Sequence, residues 1–208
     1  EWKKNNLGKG WVLGETLITG IGQGYIQTTP LQLCLMTALI ANGGNKIEPK
    51  IIVDNKPSSY LDLKRNFEVQ KLTNAEFKLV KNQKNLEIVQ KAMFSSTNEI
   101  GGTSYRSRID DPKYQFAGKT GTAQVKRISK RERELDLKID QIPYNDRDHA
   151  LYVAYGPHVN PRYALSIIVE HGGSGSKAAA PMAKELFKLI IDREELRDKQ
   201  SNFEEINI

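Results

Sequence analysis

The sequence predicts a mixed α/β fold of the α+β type, in which an antiparallel sheet carries a C-terminal helix on one face and follows a helical part. Three segments of the last third of the chain have the composition of β-strands: 114–126, 150–156 and 163–170. A short link with an Asn160-Pro161 turn joins the last two, which favours antiparallel pairing, and we expect the three strands to lie in sequential order in the sheet. The segment 178–191 then has the apolar spacing of an amphipathic helix.

The first part of the chain, 1–113, is predicted to be mostly helical. Residues 1–28 are rich in glycine and are expected to form a loop. A helix should follow, because Thr29 can cap it, Pro30 suits its first position and Gly43 suits its end. Apolar side chains occur on every side of this helix, so we expect it to be central and buried.

The middle of the chain gives weaker patterns. Residues 46–54 predict a short extended piece, whereas 55–72 are polar and ambiguous. The segment 73–76, Thr-Asn-Ala-Glu, has the form of a capping box and predicts a helix that runs, with a break near Asn82–Asn85, to about Phe94. The Gly-Gly-Thr stretch at 101–103 predicts a turn.

Two charged or polar segments surround the predicted sheet. Residues 127–148 join the first two strands and are much more numerous than the roughly 2–5 residues of an ordinary hairpin loop. We expect a solvated excursion there, with a partner-docking arm or a lid over a cleft as the alternative. The tail, 192–208, is polar and is expected to fray over 198–208.

The composition excludes several classes of protein. Apolar residues make up 38% of the chain and charged residues 27%, which is typical of a globular domain. The net charge of +6 is scattered among acidic residues, so it does not indicate nucleic-acid binding. The single cysteine, Cys34, lies in an apolar stretch and is expected to be a structural thiol.

No cofactor, metal or membrane segment is expected. The stretch Gly-Ile-Gly-Gln-Gly-Tyr lacks the glycine spacing of a dinucleotide-binding turn. The histidines, His149, His158 and His171, are too scattered for a metal site. No apolar run approaches the roughly 20 residues that span a bilayer, and the chain opens without an apolar leader, so we expect a fragment of a longer protein.

The stretch Lys119-Thr120-Gly121-Thr122 carries the candidate chemistry. On a strand, Lys119 and Gly121 face one side, and Thr120 and Thr122 face the other. Two hydroxyls beside an ammonium can bind a carboxylate, and an edge strand can accept an extended peptide. A backbone N–H beyond Gly121 can donate to a developing oxyanion. The alternative is an ordinary strand whose lysine and threonines face water.

Further stretches accompany this one in a characteristic order: GETLITGIGQGYIQTTPLQL, GGTS, FAGKTGTAQV, DHALYVAYGPHVNPRYALSIIVEHGGSGS and AAPMAKELF. In this order they resemble class B penicillin-binding proteins, the penicillin-binding protein 2 group of peptidoglycan D,D-transpeptidases. The match covers about 14–191 and weakens over 54–84 and 127–146. It implies that 1–208 is the C-terminal portion of a single transpeptidase domain, with the β-lactamase/transpeptidase-like fold incomplete in this chain.

The family uses the motifs S-x-x-K, S-x-N and K-[ST]-G. By resemblance, Lys119-Thr120-Gly121 is the third. Lys119 would support the electrostatics and proton traffic of the cleft. Thr120, Gly121 and Thr122 would bind the substrate, with the threonine hydroxyls on the carboxylate of a terminal D-alanine or of a β-lactam. The N–H of Thr122 would be one oxyanion donor.

Two stretches match the other motifs but are expected to be accidental. Ser174 and Lys177 fit S-x-x-K but lie in a glycine-rich link, where the two side chains would not be held together. The stretch 96–98, Ser-Thr-Asn, follows GIGQGY, whereas the S-x-N motif of the family precedes it. The resemblance therefore implies that the nucleophilic serine is absent from this chain and lies upstream of Glu1. The strand that flanks 163–170 in the family also precedes that serine.

The resemblance implies a serine-type D,D-transpeptidase that cross-links peptidoglycan without a cofactor, at the periplasmic face of the bacterial inner membrane. Its partners would be peptidoglycan stem peptides, β-lactams and a membrane glycosyltransferase of the cell-elongation machinery, and no nucleic acid. This chain alone is expected to be inactive. The alternatives are a non-catalytic β-lactam sensor or peptide-binding module on the same scaffold, and a β-lactamase.

Overall fold

The structure, a computed structural model, describes residues 1–49, 78–126 and 137–206. Five α-helices lie in these ranges: α1 (Trp2–Leu7), α2 (Leu13–Gly20), α3 (Pro30–Ala41), α4 (Gln83–Asn98) and α5 (Ala180–Ile206). Three strands form one sheet: β1 (Ala117–Ala123), β2 (His149–Gly156) and β3 (Tyr163–Val169). The described part of the chain therefore combines helices with a sheet in an α+β arrangement.

The sheet is antiparallel with the strand order β1-β2-β3, as predicted. Its register places Thr120 opposite Tyr152, and Tyr152 opposite Ile167 on the far strand. Asn160 has a φ of 56° in the link between β2 and β3. Asparagine tolerates this left-handed backbone better than most residues, so the predicted turn has its physical basis there.

One face of the sheet is covered by α5, as predicted. Small side chains allow the close approach of the helix: Ala154 on β2, and Ala179, Ala180 and Ala183 at the start of the helical segment, are all fully buried. Phe187 stacks on Phe116 with ring centroids 4.9 Å apart. Burying a phenylalanine of this kind contributes roughly 1.5–3 kcal/mol to folding.

The opposite face is covered by α3 and α4. Met93 of α4 packs with Ala117 and Tyr155 of the sheet, and Ile40 and Phe94 lie against this cluster. The sheet is thus enclosed between α5 on one side and two helices on the other. Its three strands hold the candidate site between these layers.

Residues 1–28 differ from the predicted loop, because α1 and α2 lie there. The side chain of Lys3 forms an ion pair with Glu15 of α2, and its ammonium donates to the carbonyl oxygen of Gly10 at 2.9 Å. Glu15 also accepts from the N–H of Val12 at 2.9 Å. Gly8, with a φ of 64°, ends α1. The glycines therefore end short helices that a tertiary ion pair holds together.

The caps of α3 are those predicted, but its burial is not. The hydroxyl of Thr29 accepts from the N–H of Gln32 at 3.2 Å. Only one side of the helix packs on the sheet, and Leu31 and Met36 are 48% and 44% exposed. Cys34 is half-buried, and burial raises the pKa of its thiol. The expectation of a helix buried on all sides was wrong for the described part of the chain.

The boundaries of the other helices also differ from the predicted ones. The predicted capping box at 73–76, the ambiguous 55–72 and most of the extended piece 46–54 lie outside the described residues. The described helix, α4, begins at Gln83 and continues past the predicted end to Asn98. The tail is helical to Ile206, so α5 is longer than the predicted 178–191. A turn of π-helix, Gly175–Ala179, precedes it.

Candidate active site

The four residues Lys119, Thr120, Gly121 and Thr122 lie together on β1, which is an edge strand of the described sheet. Lys119 and Thr122 are exposed, whereas Thr120 and Gly121 are half-buried. The outer edge of β1 thus offers backbone N–H and C=O groups next to an ammonium and two hydroxyls. An extended peptide that ends in a carboxylate matches this combination.

The two sides of β1 carry different groups, as the strand alternation predicted. Lys119 and Gly121 pair with Val153 and Leu151, on the face that α3 and α4 cover. Thr120 and Thr122 pair with Tyr152 and Ala150, on the α5 face. The ammonium and the hydroxyls therefore approach the strand edge from opposite faces of the sheet.

The hydroxyl of Thr120 is the most highly connected group of the stretch. The ammonium of Lys119 donates to the carbonyl oxygen of Thr120 at 2.8 Å and to its hydroxyl oxygen at 3.4 Å. The hydroxyl of Thr103 lies 3.3 Å from that of Thr120, and the hydroxyl of Ser96 lies 3.1 Å from that of Thr103. A cation and a line of hydroxyls thus converge on one strand position.

A buried network supports β1 from the α5 face. The hydroxyl of Tyr152 is hydrogen-bonded to Thr97 of α4 at 2.9 Å and to Ser104 at 3.0 Å. Burial raises the pKa of Tyr152, and the bonds from Ser104 and Thr97 oppose that rise. The ring crosses β1 at Gly118, where a Cβ atom would lie 2.3 Å from the Tyr152 hydroxyl oxygen. Gly118 therefore leaves room for the network.

The stretch Ser96-Thr97-Asn98 has a structural role that its sequence pattern does not indicate. Asn98 donates to the carbonyl oxygen of Phe116 at 2.9 Å, just before β1. Thr97 binds Tyr152, and Ser96 binds Thr103. All three side chains therefore connect the end of α4 to the candidate site.

Ser174 and Lys177 were expected not to act as a nucleophile pair. The hydroxyl of Ser174 lies 3.0 Å from that of Ser176. Lys177 lies in the π-helical turn that follows. Between them, Gly175 presses on the sheet: a Cβ atom there would lie 2.4 Å from the Leu151 carbonyl oxygen and 2.8 Å from that of Gly121. This glycine-rich turn therefore packs against the backbone of β1 and β2.

A cavity of about 980 Å³ lies between 137–148 and the turn at 172–178. The side chain of Ile139 fills the space beside Gly173, where a Cβ atom would lie 2.0 Å from its Cδ1 atom. The described end of the β1–β2 connection therefore folds back onto the turn before α5. Residues 127–136 lie outside the described ranges, so the solvated excursion and the lid or docking arm stay alternative predictions.

Among the described residues, no group of three or more histidine, cysteine or carboxylate side chains is arranged to hold a metal ion. Within the same ranges, none of the helices has the length and apolar character needed to cross a lipid bilayer.

Sequence reasoning found the four positions on β1 and missed their supports, Thr103, Gly118 and Tyr152. The Gly-Gly-Thr turn was noted, but its role depends on Gly102, where a Cβ atom would lie 2.4 Å from the Ser96 carbonyl oxygen. This close approach brings Thr103 beside Thr120. For Tyr152, the only indication in the sequence is strand alternation, which predicts that its side chain lies on the α5 face.

Comparison with known proteins identifies the family. The model of the family described as "Penicillin binding protein transpeptidase domain" matches residues 2–188. The peptidoglycan D,D-transpeptidase MrdA of Haemophilus influenzae is 31% identical over 196 residues, covering 93% of this chain and 28% of the relative. MrdA of Escherichia coli K12 is 29% identical, covering 97% and 30%.

Solved structures agree in fold. Pseudomonas aeruginosa PBP2, in complex with WCK 5153, has a TM-score of 0.63 and 34% identity, covering 88% of this chain and 34% of that one. Helicobacter pylori PBP2, in complex with MreC, has a TM-score of 0.63 and 31% identity, covering 90% and 30%. The chain thus spans about a third or less of these proteins. With the family model matched over nearly its whole length, it belongs to the penicillin-binding protein transpeptidase domain family.

Proposed function

We propose that this chain supplies one wall of the active site of a peptidoglycan D,D-transpeptidase. The observation that carries the proposal is the arrangement of Lys119, Thr120 and Thr122 on an exposed edge strand, with the Lys119 ammonium 2.8 Å from the carbonyl oxygen of Thr120. The names of its relatives, peptidoglycan D,D-transpeptidases, support the same activity.

The reaction is acyl transfer in two steps. A serine hydroxyl attacks the carbonyl carbon of the bond between two D-alanines, gives up its proton to a base, and forms a tetrahedral oxyanion. The amide bond then breaks, and the terminal D-alanine leaves with a proton on its nitrogen. An amine of a second stem peptide attacks the acyl-serine ester, and the serine regains its proton. The chemistry uses no metal or organic cofactor.

Each residue of β1 has a role in that scheme. Thr120 and Thr122 donate hydroxyl hydrogens to the carboxylate of the terminal D-alanine, and the Lys119 ammonium adds charge complementarity. The N–H of Thr122 donates to the oxyanion, where its interaction is strongest in the transition state. A glycine at position 121 lets another chain approach the strand backbone closely.

The nucleophilic serine lies upstream of Glu1 in this proposal. A serine activated by a lysine needs the two side chains within hydrogen-bond distance. The hydroxyl of Ser174 is instead bonded to Ser176, and the turn that follows it packs against the backbone of β1 and β2. The relatives also have about two thirds of their length outside the region matched.

The partners follow from the same proposal. The substrates are peptidoglycan stem peptides, and β-lactams acylate the same serine. The parent protein acts at the periplasmic face of the inner membrane with a membrane glycosyltransferase of the cell-elongation machinery. The complex of Helicobacter pylori PBP2 with MreC supports membership of a larger assembly. A sensor or a β-lactamase finds no such support in the names of the relatives.

Intact-mass analysis after incubation with benzylpenicillin tests the proposal. We expect the full-length parent to gain one penicilloyl group on a serine outside 1–208, and the chain 1–208 to gain none. A slow loss of the adduct separates a transpeptidase from a β-lactamase, which hydrolyses it rapidly. Stoichiometric labelling of Ser174 would overturn the placement of the nucleophile.

A further inference from the structure

Thr103 lies outside the three motifs of the family, yet its hydroxyl is 3.3 Å from that of Thr120. The Thr103 hydroxyl also lies 3.1 Å from the hydroxyl of Ser96. The hydroxyls of Ser96, Thr103 and Thr120 thus form a chain that ends on β1. The ammonium of Lys119 approaches the last of them at 3.4 Å. In such a chain, the direction of the last O–H bond is set by the neighbours that donate to its oxygen.

The direction follows from counting hydrogens. A threonine hydroxyl has one hydrogen to donate and two lone pairs to accept with, whereas a lysine ammonium only donates. Lys119 therefore occupies one lone pair of the Thr120 oxygen. If Thr103 donates to the other, the single hydrogen of Thr120 remains for a third partner. A carboxylate only accepts, so it requires that hydrogen.

The backbone fixes where Thr103 stands. The preceding residue, Gly102, is so close to α4 that a Cβ atom would lie 2.4 Å from the carbonyl oxygen of Ser96. The following residue, Ser104, is buried, and its N–H donates to that same carbonyl oxygen at 3.0 Å. Thr103 is thus held between two anchored neighbours, although its own side chain is exposed. Because its backbone is fixed, the Thr103 hydroxyl can hold one position relative to Thr120.

We propose that Thr103 is a positioning residue: its hydroxyl donates to Thr120 and directs the Thr120 hydrogen toward the carboxylate of the substrate. Ser96 donates in turn to Thr103, which keeps the Thr103 hydrogen pointed at Thr120. The inference rests on the proposed function, because it takes the Thr120 hydroxyl as a carboxylate ligand. It adds a residue from the turn after α4 to the recognition of the peptide terminus.

The test uses the full-length parent with Thr103→Val, which keeps the β-branched shape and removes the hydroxyl. We expect acylation by benzylpenicillin to slow about three- to tenfold, the usual effect of losing one hydrogen bond. Acylation by benzylpenicillin methyl ester, which lacks the carboxylate, should keep its wild-type rate. Thr103→Ser should restore acylation by benzylpenicillin, and Ser95→Ala, a hydroxyl loss elsewhere on α4, should change neither rate.

A second measurement does not need the ester. In a Thr120→Val background, adding Thr103→Val should cause no further loss, because the hydroxyl that it orients is already gone. Full additivity of the two losses, equal slowing with both penicillin forms, or an unchanged rate in Thr103→Val would each overturn the inference. Failure of the proposed function is a different outcome: the wild-type parent would then form no adduct with benzylpenicillin.

Discussion

The ring of Tyr152 crosses under the backbone of Gly118, and a methyl group at that glycine would lie 2.3 Å from the tyrosine hydroxyl oxygen. The crossing brings this hydroxyl to Thr97 and Ser104, which are buried. It therefore connects the strand that carries Lys119 to α4 and to the turn that carries Thr103. The glycine before the lysine is required by packing.

We predict that Gly118→Ala destabilises the full-length parent protein by about 1–3 kcal/mol, as overpacking a filled core does. Chemical denaturation measures the change. Gly121→Ala is the matched control, since its Cβ atom would lie 3.3 Å from the Cβ atom of Leu151 and needs a smaller adjustment. Equal stability of Gly118→Ala and the wild type would contradict the close approach of Tyr152.

A second prediction concerns the hydroxyl of Tyr152. Tyr152→Phe should cost about 1–3 kcal/mol of stability, because it removes a partner from two buried hydroxyls. The hydroxyls of Thr97 and Ser104 lie 3.3 Å apart, so each remains a hydrogen-bond partner of the other in the variant. The loss of stability should therefore lie near the lower end of this range. Tyr155→Phe, in a buried tyrosine outside this network, is the control. A loss in the Tyr155→Phe control as large as that in Tyr152→Phe would contradict the stabilising role of the hydrogen bonds to Thr97 and Ser104.

The sheet could be predicted from the sequence, whereas its supports could not. Strand alternation and the Asn160-Pro161 turn are local patterns, and they gave the strand order β1-β2-β3. The bond between Thr97 and Tyr152 joins residues 55 positions apart. The sequence does not indicate which distant hydroxyl a given hydroxyl will contact. The roles of Thr103 and Tyr152 were therefore not predicted.

The short helices at the start of the chain, α1 and α2, were not predicted, for a related reason. A six-residue helix such as α1 has little stability of its own. It depends on the ion pair of Lys3 with Glu15 and on the contact of the Lys3 ammonium with the Tyr25 ring, 5.9 Å from its centroid. Glycine content favoured a loop, and the tertiary contacts overrode it. The caps of α3 were predictable because Thr29 and Gln32 are neighbours in sequence.

A third prediction concerns Thr122. In the full-length parent, Thr122→Val should slow acylation by benzylpenicillin about ten- to a hundredfold, since a hydrogen bond to a carboxylate contributes about 1.5–3 kcal/mol. Folding should be little affected, because the side chain is exposed and valine suits a strand. Thr122→Ser, which retains the hydroxyl, should stay close to the wild type. An unchanged rate in the valine variant would mean that Thr122 only lines the strand.

A fourth prediction concerns pH. His158 stacks on Phe94 with centroids 4.2 Å apart, its Nδ1 atom is buried without a hydrogen-bond partner among the described residues, and burial lowers its pKa. Below the ordinary histidine pKa of about 6.5, the unfolded chain binds a proton that the folded chain resists. Stability should therefore fall as the pH falls through this range. His158→Phe should flatten this part of the melting-temperature profile, and an identical profile would contradict the prediction.

The last prediction concerns β3, which pairs with β2 alone within the described ranges. Its outer edge is free of a strand partner there, and Ile168 on it is 37% exposed. An unpaired apolar edge is a template for pairing with another chain. We therefore expect the isolated chain 1–208 to self-associate at low micromolar concentration, as light scattering can show. Ile168→Lys should reduce the association, because a charge on an edge strand opposes pairing. A stable monomer that unfolds cooperatively would mean that another segment of the chain covers this edge.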